Sequence, residues 1–175
     1  MPLPKAGSSL PEHRQSDSAS DPPTLPPTGA RAGGSVASTE ERAPLRLARG
    51  HLRDILAHLR AVYPLEGCGL LAGRDGRVCA VHPVENRLHS PHGYEMAPAA
   101  QIRIMYALEA AGQELLAIYH SHPHGPAYPS PADVAGARYP GVRHLVVSLA
   151  APAQPVLRAF AIDAQGVQEV LVEIV

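Results

Sequence analysis

From Pro44 onward the segments that read as strands are joined by very short turns, and this spacing narrows the fold more than any other feature of the chain. Cys68-Gly69-Leu70-Leu71-Ala72-Gly73 is a short apolar run, Arg74-Asp75-Gly76-Arg77 reads as a hairpin turn, and Val78 to Val84 returns as its partner. Parallel neighbours need a crossover of about a dozen residues or more, so a turn this tight demands an antiparallel pair. Upstream, Leu45, Leu47 and Ala48 form an opening strand, and Gly50 to Val62 places Leu52, Ile55, Leu56, Leu59 and Val62 at helical spacing until Pro64 ends the helix. Downstream, Tyr94-Glu95-Met96 reads as a brief strand. A second helix runs from Pro98 to about Ala111, burying Ile102, Met105, Tyr106 and Leu108, and Gly112 stops it. Leu115 to Tyr119 is a strongly apolar strand. A short helix capped at Ser130 and running to about Arg138 follows, then strands at His144–Leu149, Val156–Ile162 and Val167–Ile174. The order β-α-β-β-α-β-α-β-β-β implies an α/β layered domain whose central sheet is mixed or mostly antiparallel and flanked by helices.

The 175 residues suffice for one domain and an extension. Residues 1–43 are rich in Pro, Ser, Gly and Thr, with Leu3, Leu10 and Leu25 almost their only large apolar side chains. So little surface can be buried there that ordering is not offset, and a disordered tail is expected ahead of a packed domain over 44–175. Fifteen basic and sixteen acidic residues, with no block of either sign, present no basic face for nucleic acid or an anionic membrane. The N-terminus lacks the apolar run of a secretory leader, and no later stretch is long enough to span a bilayer. Sparse cysteine, only Cys68 and Cys79, fits a reducing compartment, so a soluble cytoplasmic protein is expected. The oligomeric state is open, a homodimer included.

The chemistry gathers at the end of the apolar strand. His120 and His122 stand two apart, so on a strand their imidazoles point to one face and can share an ion; an isolated pair also fits two surface histidines. Asp133 lies in the first turn of the following helix, where a carboxylate is in any case favoured by the helix dipole. The loop between, with its prolines and one glycine, can bring that turn back over the strand edge. Two histidines and one carboxylate form an open catalytic set with a position left for water. A metal-bound water needs a base that does not itself coordinate, and Glu66, directly before the buried run at Cys68, suits that role as well as it suits a loop acid. Ser130 can donate to a developing oxyanion, and its reading as a plain N-cap need not compete, because a neighbour can cap the backbone group.

Glu66, then His120-Ser121-His122-Pro123, then Ser130-Pro131-Ala132-Asp133 at the spacing H-x-H, seven residues, S-x-x-D, resembles the complete signature of the JAMM/MPN+ zinc metalloproteases, in their compact prokaryotic form. Glu66 to Gly73 is similar to the family's segment around its general-base glutamate, as is Asn86 followed by Tyr94 and Met96. The resemblance covers about residues 45–175. It implies a cytidine-deaminase-like fold and one Zn2+ per chain held by His120, His122 and Asp133. It further implies Glu66 as acid/base, Ser130 steadying the tetrahedral intermediate, and hydrolysis of a peptide or isopeptide bond after the C-terminal Gly-Gly of a ubiquitin-like or sulfur-carrier protein. His124 is then an exposed loop residue, and His82, His89, His92 and His144 are surface or satisfied core histidines. Two rivals stand beside this reading: a metal-free interaction scaffold, and another H-x-H zinc hydrolase, which would need a longer chain.

Overall fold

Asp75 and Gly76 both adopt left-handed backbone, with φ of 50° and 72°. That is the geometry of a two-residue turn whose twist matches the flanking strands, and it closes the hairpin with Arg74 opposite Arg77. The structure, a computed structural model, describes residues 43–175. The expected tail, apart from Ala43, lies outside the described residues. Around the hairpin the elements run β1 (Leu45–Leu47), α1 (Arg49–Val62), β2 (Cys68–Arg74), β3 (Arg77–Val84), α2 (Pro98–Ala110), β4 (Glu114–His122), α3 (Pro131–Gly136), β5 (Arg143–Ser148), β6 (Val156–Asp163), β7 (Gly166–Val170) and β8 (Val172–Ile174).

The strands form one mixed sheet in the order β7-β6-β5-β4-β2-β3-β1-β8. Pairs β2–β3, β2–β4, β5–β6 and β6–β7 are antiparallel, whereas β4–β5, β1–β3 and β1–β8 are parallel. Alternation along β4 separates two cores. Ala117 and Tyr119 face the cluster that takes Ile55 and Leu59 from α1, and Ile118 faces the smaller cluster packed by Ile104 and Met105 of α2. No helix among the described residues is long and apolar enough to cross a membrane.

Several expectations need correction. The run Val167–Ile174 is two strands, since the chain breaks pairing at Leu171, whose carbonyl accepts from the Leu45 amide at 2.9 Å. β7 therefore ends one edge of the sheet and β8 the other, with one residue between them, and the sheet curls until its edges meet. The consecutive apolar residues Val170-Leu171-Val172 carry no Gly or Pro to mark such a bend in the sequence. Tyr94–Met96 is no strand; only the single bridge between Asn86 and Met96 forms. The third helix stops at Gly136, short of Arg138. In α2 the inner stripe holds Ile104, Met105 and Leu108, and Tyr106 is 65% exposed, because the helix is rotated by about one position from the stripe read off its largest residues.

Gly69 lets β2 and β4 approach beside the site. A Cβ there would lie 2.4 Å from Tyr119 Cε1 and 2.5 Å from the His82 carbonyl oxygen. Tyr119 cannot swing away, since it is fully buried and its hydroxyl bonds His58 Nδ1 at 2.9 Å. Gly69→Ala is therefore expected to destabilise the domain by about 1–3 kcal/mol or more, through overpacking, as read by denaturant unfolding.

Candidate metal centre

β4 carries its apolar run inward and ends in His120 and His122, on the same face as Ile118 and both buried. Ser121, pointing the other way, reaches β2: its amide donates to the Gly67 carbonyl at 2.9 Å, and its hydroxyl accepts from the Gly67 amide at 2.9 Å. These bonds carry the approach of the two chains one residue past the Cys68–His120 pair, and Glu66 follows next, close enough for its carboxyl to feel the charges of His122 and Asp133. Glu66, 6% exposed, is thus set beside the imidazole pair although it belongs to neither α1 nor β2.

Asp133 arrives from α3. Ser130 caps that helix, as its place at the helix start implied: its hydroxyl accepts from the Asp133 amide at 3.2 Å, while the Ser130 amide donates to Asp133 Oδ2 at 2.6 Å. The reciprocal bonds aim the carboxylate at the histidines. Because the Ser130 hydroxyl accepts in this arrangement, its own proton is free to be donated into the site.

Three side chains converge, each imidazole on a different oxygen of the Asp133 carboxylate. His120 Nε2 lies 3.1 Å from His122 Nε2 and 3.4 Å from Asp133 Oδ1, and His122 Nε2 lies 3.3 Å from Asp133 Oδ2. Ligands at the zinc bond lengths of about 2.0–2.2 Å in a tetrahedral array stand roughly 3.3–3.6 Å apart, so the cluster has close to the dimensions of three corners of one such site. His122 also has the outer contact a ligand imidazole needs. Its Nδ1 donates to the Pro126 carbonyl at 2.8 Å, which fixes the ring with Nε2 facing the cluster. His120 has no protein partner for Nδ1 among the described residues; Tyr94 stacks on its ring instead, centroids 4.7 Å apart.

The two imidazoles are held differently: burial lowers the His122 pKa, but hydrogen bonds to Asp133 and to the Pro126 carbonyl outweigh it and hold it above the ordinary histidine value. Burial pushes the His120 pKa down despite the hydrogen bond to Asp133, which favours the neutral, coordinating form. Burial would raise the Asp133 carboxyl, but hydrogen bonds to His120 and His122 outweigh it and hold the group below the usual carboxylate range. For Glu66, burial raises the pKa to about 7, His122 opposing and Asp133 reinforcing the shift. A carboxyl poised near neutrality is suited to taking and returning a proton. Cys68, though opposite His120, is no donor here: burial first, then Glu66, pushes its thiol up to about 12, and its Sγ contacts the Val84 carbonyl at 3.5 Å.

Among the described residues, His120, His122 and Asp133 are the one group of His, Cys or acidic side chains spaced to hold a metal. His124 is exposed, as are His89 and His92. His144 differs from expectation, for it is buried with Nδ1 unpartnered, as is the inward nitrogen of half-buried His82. Sequence reasoning missed the bracing role of Ser121 and the Pro126 carbonyl. Ser121 sits between two conspicuous histidines and could have been found by asking what the opposite face of β4 contacts.

Comparison with known proteins was made on this arrangement. The family model of prokaryotic homologs of the JAB domain matches residues 48–163. A relative from Thermus thermophilus, a probable TtuB-protein conjugate cleaving protease, is 43% identical over 119 residues, covering 67% of this chain and 80% of that protein. A CysO-cysteine peptidase from Mycobacterium tuberculosis is 36% identical over 123 residues, covering 69% and 84%. A protein from Desulfitobacterium hafniense, solved in solution, superposes with a TM-score of 0.69 at 35% identity over 74% of this chain and 92% of that one.

Proposed function

Since this chain belongs to the family of prokaryotic homologs of the JAB domain, and is a hydrolase, we propose that it is a zinc metallopeptidase acting after the C-terminal Gly-Gly of a ubiquitin-like or sulfur-carrier protein. Support for the substrate class comes from the relatives, whose names specify a TtuB-protein conjugate and a CysO-cysteine adduct. The observation that carries the metal reading is the set of separations among His120, His122 and Asp133, 3.1–3.4 Å, with the buried Glu66 beside them and outside that group. The catalytic unit is assigned to residues 44–175, and its element order suits the cytidine-deaminase-like class.

In this mechanism His120, His122 and Asp133 hold one zinc ion, which when bound supplies Lewis acidity to water and to the scissile carbonyl. Glu66 accepts a proton from the attacking water as its oxygen bonds to the carbonyl carbon. The Ser130 hydroxyl donates to the oxygen that turns negative, a contact worth about 10²–10³ in rate where single oxyanion donors have been removed. Glu66 then returns the proton to the leaving nitrogen, the C–N bond breaks, and the carrier departs with a free carboxylate. Pro126 and Tyr94 keep the two imidazoles oriented throughout.

The test is incubation of the purified protein with ubiquitin-like carriers bearing a C-terminal cysteine or lysine adduct, followed by intact mass. The carrier should lose the adduct mass, the loss should stop with a chelator, and one equivalent of zinc should restore it. Processing that persists without metal would overturn the reading.

A further inference from the structure

We propose that Asn86 is a positioning residue for Glu66, fixing the backbone from which the carboxylate reaches the site; the inference rests on the hydrolase reading above. Asn86 stands just after β3 and is 8% exposed. Its amide nitrogen donates to the Glu66 carbonyl at 2.9 Å and to the Gly93 carbonyl at 3.1 Å. Its oxygen accepts from the Leu88 amide at 3.0 Å and from the Glu95 amide at 3.1 Å. Both donors and both lone pairs are therefore engaged. The orientation is determined as well, since a flipped amide would set oxygen against two carbonyls and nitrogen against two N–H groups.

Three of these bonds organise the loop between β3 and α2; the fourth leaves it and holds Glu66. The remaining backbone group of Glu66, its amide, also goes to this loop, donating to the Ser90 carbonyl at 2.9 Å. Glu66 lies between α1 and β2, so its own main-chain groups are held by the loop rather than by a helix or strand ladder. The same loop delivers the Tyr94 ring onto His120. Asn86 thus ties the base and the packing of one imidazole to a single side chain. A displacement of about 1 Å at a reacting group can lower rate by 10²-fold, so a lost tether should appear in turnover before it appears in substrate affinity.

Asn86→Asp keeps the bonds accepted from Leu88 and Glu95 and removes both donated ones, so of the loop's own three bonds only that to Gly93 goes with the tether. Asn86→Ser removes the tether without adding charge, at the cost of the amide's loop bonds as well. Both should keep one zinc per chain and a KM within about twofold of the parent, and both should lower kcat by at least tenfold. In a Glu66→Gln background neither should lower the residual rate further, as expected when one residue acts through another. In the metal-free protein, amide exchange at Glu66 should quicken in both variants, a readout independent of catalysis. Unchanged kcat, an equal loss in the Glu66→Gln background, loss of zinc, or unchanged exchange at Glu66 would overturn the assignment. A parent enzyme without metal-dependent turnover would instead overturn the hydrolase reading, and the exchange measurement would still judge the tether.

Discussion

Glu66→Gln is expected to retain one zinc per chain while kcat falls by about 10²–10⁴-fold, the range for removing a positioned general base. The substitution keeps the side chain's shape and leaves the Ser90 and Asn86 bonds to its main chain untouched, so the metal-binding cluster should be unperturbed. The wild-type profile carries a related signature. As pH falls, Glu66 takes up a proton and can no longer accept one from water, so kcat/KM falls on the acid side. In the metal-free protein burial places that titration near 7. A bound cation favours the carboxylate and moves the limb lower, so the loaded enzyme should stay active at neutral pH. Turnover by Glu66→Gln close to the parent rate would remove the residue from the mechanism.

The other large effect is expected from His122→Ala. This change deletes one of three donors and also the anchor to Pro126, so the loop leading to α3 loses its tie to β4. Outer contacts of a metal site are worth roughly 10–100-fold in affinity, and a direct ligand should exceed that. Zinc content after dialysis should fall well below one per chain, and turnover should vanish with it. Because the ion's binding energy is coupled to folding, zinc should raise the melting temperature of the parent and leave that of the variant almost unmoved. Full zinc occupancy in the variant would show that His122 is not a ligand.

Local chemistry was legible in the sequence wherever period and turn type determine geometry. The Asp75-Gly76 turn, the limits of α1 and the shared face of His120 and His122 all follow from spacing of two or of three to four residues. Long-range placement was legible only through the family pattern. Nothing local to Glu66 says that it lies beside His122; that follows from the β2–β4 pairing and the Ser121–Gly67 bonds, which join residues 54 apart. The break at Leu171 was hidden for the same reason, because which edge a strand joins depends on its neighbours. Ser130 was legible as an N-cap from its place before Pro131, and its hydroxyl, which accepts from the Asp133 amide, keeps a proton to donate.

Convergence of two imidazoles and one carboxylate on a single zinc ion is tested most directly by X-ray absorption at the zinc edge of the purified protein. The account predicts one zinc per chain in a shell of nitrogen and oxygen donors at about 2.0–2.2 Å with scattering from two imidazoles. A sulfur donor at about 2.3 Å, or protein free of stoichiometric zinc after metal supplementation, would contradict it.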